Sequence, residues 1–200
     1  FIARIHSVLW IGLHKGLGKG RFSTEIYFRN INNIRARIQE VYDTNVIVKR
    51  PVNAGVSQAL GAEFSYNKTI GDWWILDAGA NLFYYKISGE ITGSSLNQEM
   101  FTYRVRWSNS FILPKGWKVQ FISNYVADVV SVQGIDKGFA SFDLAVKKDI
   151  NDGKVSTTLQ VRNILATERR ETWVDTENLY SYRMATPRWL VAAISVSIRL

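Results

Sequence analysis

The stretch Trp74-Ile75-Leu76-Asp77-Ala78-Gly79-Ala80-Asn81-Leu82-Phe83-Tyr84 decides how the whole chain reads. Trp74, Leu76, Ala78, Ala80, Leu82 and Tyr84 alternate with a set that holds Asp77, Gly79 and Asn81. Successive side chains of a strand point to opposite faces, so a period of two marks a strand with one apolar and one polar side. Ten residues at about 3.3 Å rise and a tilt of about 40° span roughly 25 Å. Ordinary strands run about 5–6 residues. This one is long enough to cross a layer of hydrocarbon.

The same period recurs outward in both directions. Upstream, Phe22, Thr24, Ile26 and Phe28 alternate with Ser23, Glu25 and Arg29, and Leu60, Ala62, Phe64 and Tyr66 alternate with Gly61, Glu63 and Ser65. Downstream come Phe101–Phe111, Trp117–Tyr125, Phe142–Val146, Val155–Val161 and Leu190–Leu200. A poorer strand covers residues 7–14. The expectation is about nine to ten strands in an all-β, antiparallel, up-and-down arrangement. Turns at Lys15–Gly20, Asn67–Asp72, Pro114–Gly116 and Asp149–Lys154 are short and carry Gly, Asn, Asp and Pro. Connections at 35–55, 86–100, 126–138 and 164–184 are long. Strict alternation of short and long connections is the pattern of a transmembrane barrel with all its long loops at one end.

Charge and aromatic placement agree. The apolar positions carry no Lys, Arg, Asp or Glu. A charge at the lipid midplane costs about 2–4 kcal/mol. Tyr66, Trp73, Trp74, Phe111 and Trp117 fall beside short turns, and Phe28, Tyr84, Phe101, Tyr103 and Tyr125 beside long connections. Bilayer interfaces favour such rings at both rims. The chain has 200 residues, a formal charge of +8 and no cysteine. That excludes a disulfide scaffold and Cys-ligated metal sites. Basic residues are spread between one strand face and the connections, not gathered into a stripe, which argues against nucleic acid as a partner. Two histidines, His6 and His14, make a histidine metal site a poor expectation, and no cofactor fingerprint is present.

The last strand must run towards the periplasm because a long connection precedes it. Counting back puts Phe1 outside, whereas complete barrels of this kind begin inside. Residues 1–200 are therefore expected to be the C-terminal part of one larger barrel domain, since an open sheet in lipid leaves unpaired edges.

Several segments resemble the C-terminal barrel of TonB-dependent outer-membrane receptors, especially the Bacteroidetes type. They are Gly18–Asn30, Leu60–Phe64, Leu159–Leu165, and Tyr182-Arg183 followed by Pro187-Arg188 and an alternating final strand. Such barrels often end in an aromatic residue, whereas Leu200 ends this sequence. The resemblance implies a bacterial outer-membrane location, a barrel of about 22 strands and an N-terminal plug. It also implies energy from TonB, and import of an iron chelate, cobalamin or a glycan. The implied partners are outer-membrane lipid, the plug with the earlier strands, and the TonB complex.

Within that reading the polar face supplies candidates that face the plug or the substrate path: Glu63, Asp77, Asn81, Arg104, Arg106, Asp143, Gln160 and Arg162. Cross-strand pairing is the plainer role for each. The loop aromatics Tyr42, Trp173, Tyr180 and Tyr182 are candidates for substrate contact, set against simple loop packing. Glu168-Arg169-Arg170-Glu171 reads as a solvated charge cluster. Asp43, Asp128, Asp136 and Glu177 lack any calcium-loop spacing, and Asn67-Lys68-Thr69 falls in a turn. No nucleophile elbow or phosphate loop appears, so the chain is not expected to be an enzyme. The alternatives are a soluble β-sandwich or lipocalin-like binding module, and a small outer-membrane barrel enzyme or adhesin. The enzyme would need a histidine beside a serine at the mouth, and His14 falls at the opposite end.

Overall fold

The computed structural model describes residues 4–44, 46–91, 93–151, 153–186 and 189–199, with side chains from residue 7 onward. Phe1, Pro187, Arg188 and Leu200, which carried sequence expectations, lie outside the described residues. Among the described residues fifteen strands form. They are β1 (Arg4–Gly16), β2 (Gly20–Asn32), β3 (Arg35–Asp43), β4 (Val46–Asn53), β5 (Val56–Ile70), β6 (Trp74–Ile91), β7 (Ser94–Leu113) and β8 (Trp117–Val126). The rest are β9 (Val129–Ser131), β10 (Gly134–Asp136), β11 (Phe139–Ile150), β12 (Val155–Arg162), β13 (Arg170–Thr176), β14 (Leu179–Ala185) and β15 (Val191–Ile198).

Nine of these make one antiparallel meander in the order β1-β2-β5-β6-β7-β8-β11-β12-β15. They match the eight stretches of period two and the poorer strand at 7–14 in the sequence. The register carries the alternation across the wall: Thr24, Phe64, Ala80, Val105 and Tyr125 are successive partners on one face. Glu25, Glu63, Asn81 and Arg104 are successive partners on the other.

The burial pattern is inverted relative to a water-soluble sheet. Large apolar side chains stand exposed, with Leu60 at 56%, Phe101 at 58% and Ile26 at 55%. Small polar residues of the opposite face are shielded, with Thr102 at 2% and Ser108 at 4%. Hydrocarbon around the apolar face is the environment that fits this.

Two aromatic rims border that face. At the short-turn end, Trp73, Trp74 and Phe111 have ring centroids 6.0–6.1 Å apart. Trp74 Nε1 donates to Asn109 Oδ1 at 3.0 Å, which satisfies a polar group on the lipid side. At the other end, Tyr103 lies 5.6 Å from Tyr125 and 6.5 Å from Phe101. Just beyond, still on the apolar face, Lys86 Nζ pairs with Glu99 at 3.4 Å. At the short-turn end, Lys148 Nζ rests 4.9 Å from the Trp117 ring and donates to the Lys115 carbonyl, reaching out of the band as long cations do.

Two glycines are required by geometry. Gly116 closes the β7–β8 turn at φ 74°, and an added Cβ would meet the Asp149 carbonyl at 2.7 Å. Gly61 leaves a notch in the wall, where a Cβ would meet Phe83 Cβ at 2.6 Å and the Tyr27 hydroxyl at 2.7 Å. That notch lets the Tyr27 phenol cross β5 and donate to Asn81 Oδ1 at 2.9 Å.

The long connections depart from the loop reading. Residues 86–100 are no loop, because β6 and β7 continue past the aromatic rim as one ladder to Ile91 and Ser94. The other three connections each fold into strands: β3 and β4 pair together, and β14-β13-β10-β9 form a separate four-stranded sheet.

Two outcomes follow. Ala80→Arg, at mid-height on the apolar face, is expected to destabilise the folded barrel by about 2–4 kcal/mol, while Ser65→Lys on the opposite face leaves it folded; heat-modifiable gel mobility after refolding in detergent distinguishes them. Gly61→Ala is expected to cost about 1–3 kcal/mol through overpacking against Phe83, read from the urea midpoint of the same assay.

Candidate functional site

The polar face of the meander forms one wall of the candidate site. Asn81 is held by Tyr27, and Asp77 accepts from Asn67 Nδ2. Asp143 Oδ1 accepts the Asn163 backbone N–H at 2.9 Å. Asp143, Gln160 and Arg162 share a pocket of about 250 Å³ with Gln120 and Glu168. Glu25 and Glu63 sit directly opposite each other in the ladder, and neither has an ion-pair partner among the described residues. Like charges so placed repel, so this patch favours a cation brought against it.

Above the outer aromatic rim, the folded connections close over the wall. A small apolar core of Ala54, Ile87 and Leu96, packed by Ile34, Ala36, Tyr85, Ile91 and Val132, seats the β3–β4 hairpin on the extended β6–β7 ladder. Gln133 then ties that hairpin to the loop sheet. Its Oε1 accepts the Gln39 backbone N–H at 2.7 Å, and its Nε2 donates to the Gln39 carbonyl at 2.9 Å. Within the sheet, Thr172 Oγ1 donates to Asp136 Oδ1 at 2.8 Å. Asp128 accepts from Lys137 Nζ at 2.7 Å and from the Gly138 backbone N–H at 2.7 Å. Burial raises the Asp128 carboxyl, but these donors outweigh it and hold the group below the usual carboxylate range.

Between wall and hairpin lies a cavity of about 800 Å³. Tyr27, Asn81, Phe83, Tyr85 and Arg104 line it from the wall, Arg29 from the upper end of β2, and Arg35 and Arg37 from the hairpin. Val129–Val132 and Asp136 close it from the loop sheet. A second pocket of about 460 Å³ lies against Ile135, Trp173, Tyr180, Lys137 and Asp175.

A family model for the outer membrane protein beta-barrel family matches residues 11–197. The chain belongs to this family. A barrel of this family resides in the bacterial outer membrane, and the inverted face polarity described above is the physical counterpart. Among solved structures the fold is similar to "The FrpB iron transporter from Neisseria meningitidis (F3-3 variant)", with a TM-score of 0.58 and 13% identity. The match covers 98% of this chain and 31% of that one, so the chain spans about a third of the length of that transporter. No curated protein sequence matches.

Of the eight wall residues singled out in the sequence, all lie on the polar face of this outer-membrane sheet. Asn81 and Arg104 enter the large cavity; Asp143, Gln160 and Arg162 share the smaller pocket; Glu63, Asp77 and Arg106 lie on the wall outside both. Of the four loop aromatics, Trp173, Tyr180 and Tyr182 come together, with Trp173 centroids 6.0 Å from Tyr180 and 4.6 Å from Tyr182. Tyr42 stands apart near the hairpin tip and is 80% exposed. Arg35 and Arg37 escaped notice because 35–55 was read as a loop. Their signal is the alternation Arg35-Ala36-Arg37-Ile38, which puts both arginines on one face of a strand and Ile38 on the other. Among the described residues no group of three or more His, Asp or Glu is placed to hold a metal. His14 pairs with Ser23 at the short-turn end of β1, away from the mouth.

Gln133→Ala is expected to release the hairpin, speeding hydrogen exchange at the Gln39 amide roughly thirtyfold, at about 1 kcal/mol for each of the two bonds lost. For Asp128, a carboxyl with a lowered folded value contributes stability that is complete above its unfolded value near 3.8 and is lost as pH falls through the lower folded one. Exchange at the Gly138 amide, corrected for its intrinsic rate, should therefore stay flat down to about pH 4 and rise below it; Asp128→Asn should remove that rise.

Proposed function

We propose that this chain is the C-terminal wall and extracellular cap of a TonB-dependent receptor, of the Bacteroidetes type, that binds a nutrient outside and imports it through a plugged barrel. The observation that carries the reading is the cap itself. Two connections of the meander, 35–55 and 126–138, fold as strands over a cavity of about 800 Å³, a ligand-sized chamber that fits the outer mouth of a barrel. The edges β1 and β15 each pair on one side only within the meander. Open edges are costly in lipid, which supports further strands closing a barrel of about 22. The like-charge Glu25–Glu63 pair and Arg106 supply the wall with groups for a plug to meet. Trp173, Tyr180 and Tyr182 form an aromatic shelf for first contact with a substrate. The role is binding and passage, with no catalytic step.

The test is uptake by the host strain carrying a deletion of the whole gene. Labelled ferric chelates, cobalamin and oligosaccharides are offered at limiting concentration, with and without a protonophore. Loss of energy-dependent uptake of one of them, restored by the intact gene, is the expected result. Unchanged uptake of all three classes overturns the reading.

A further inference from the structure

The large cavity holds an excess of fixed positive charge. Arg29, Arg35, Arg37 and Arg104 line it from three separate strands. Outside the cavity, Arg50 meets Glu40 through two bonds of 2.6 and 2.7 Å and Arg170 meets Glu168 at 3.2 Å, while Arg106 and Arg162 on the same wall have no ion pair among the described residues. None of the four cavity arginines makes an ion pair or a side-chain hydrogen bond among the described residues. The one carboxylate in the lining, Asp136, already accepts the Thr172 hydroxyl. Four arginines around a single carboxylate leave an excess of positive charge, and their planar forks match carboxylate and phosphate oxygens. Tyr27, Phe83 and Tyr85 add apolar ring surface between them.

We infer that this cavity is a binding site for a multiply charged anion, held through carboxylate or phosphate oxygens by Arg29, Arg35, Arg37 and Arg104. This names the ligand class for the import reading above and rests on it. It excludes a neutral oligosaccharide as the ligand of this chamber. A free cation is disfavoured by the same charges.

The test uses the receptor made from its whole gene, purified in detergent from outer membranes. Citrate, pyrophosphate and neutral maltohexaose are titrated calorimetrically at low salt. Citrate or pyrophosphate is expected to bind and maltohexaose is not, and which of the two binds tells carboxylate from phosphate. Arg37→Ala and Arg104→Ala should each weaken binding roughly tenfold, as loss of one charge-assisted pair does. Arg37→Lys should keep part of it, and Arg50→Ala, outside the cavity, should change nothing. Heat-modifiable mobility confirms that each variant is folded.

Three results would overturn the inference. One is no binding of either oxyanion. Another is oxyanion binding that both alanine variants leave unchanged. The third is Arg104→Ala admitting a large antibiotic to the cell while oxyanion affinity is unchanged, which assigns that arginine to an acidic plug. Uptake separates the two readings. Gene-dependent import of a nutrient with no oxyanion binding sinks the charge argument alone. Arginine-dependent oxyanion binding with no import sinks the transport reading alone.

Discussion

Every backbone N–H and C=O that crosses hydrocarbon must find its partner inside the protein, and the rest of this structure follows from that requirement. Water is absent from the bilayer core, so a strand there is stable only with a neighbour on each side. The meander β1-β2-β5-β6-β7-β8-β11-β12-β15 meets the requirement by pairing each strand with its neighbours, and at one end it joins them through short turns. Tight turns at one end force the remaining chain to the other. The cap, its small core and its cavity are therefore products of the same ladder that keeps the wall in lipid.

The two faces then take opposite chemical tasks. Outward positions give up polar atoms, except where a local partner exists, as with Trp74 and Asn109. Inward positions are free to carry charge, and they do so unevenly: acids at Glu25 and Glu63 on one side of Asn81, a cation at Arg104 on the other. Arginines gather beneath the hairpin, where β3 adds Arg35 and Arg37 to Arg29 and Arg104. Fold and ligand chemistry meet there because the hairpin is seated by Ala54, Ile87 and Leu96 rather than left loose.

The wall was readable in the sequence because lipid enforces the period of two along long strands. Residues 74–84 and 101–111 show it plainly. Residues 7–14 read poorly for a physical reason: in β1 both faces are apolar, with Val8 and Trp10 on the inner side and Leu9, Ile11 and Leu13 on the outer, so alternation vanishes. The cap was not readable. Its strands are short, β9 and β10 having three residues each, and are fixed by tertiary latches such as Gln39–Gln133 rather than by periodicity. The continuation of β6 and β7 to Ile91 and Ser94 was hidden because Lys86, Glu90 and Glu99 resemble loop composition, although they follow the ladder in water.

The charges that bracket the aromatic rims have a further consequence. Lys86–Glu99 at one end and Lys68 with Lys148 at the other sit on the same face as the apolar band, so the band cannot lengthen or slide without burying an ion. A helix meets a thicker bilayer by tilting, but a sheet fixed in a hydrogen-bonded ladder has little of that freedom. The height from Trp74 to Tyr84, roughly 25 Å, therefore acts as a gauge. Hydrophobic mismatch would penalise this wall in the thicker bilayers of other compartments and favour the thin one it occupies, so membrane thickness itself becomes part of its sorting.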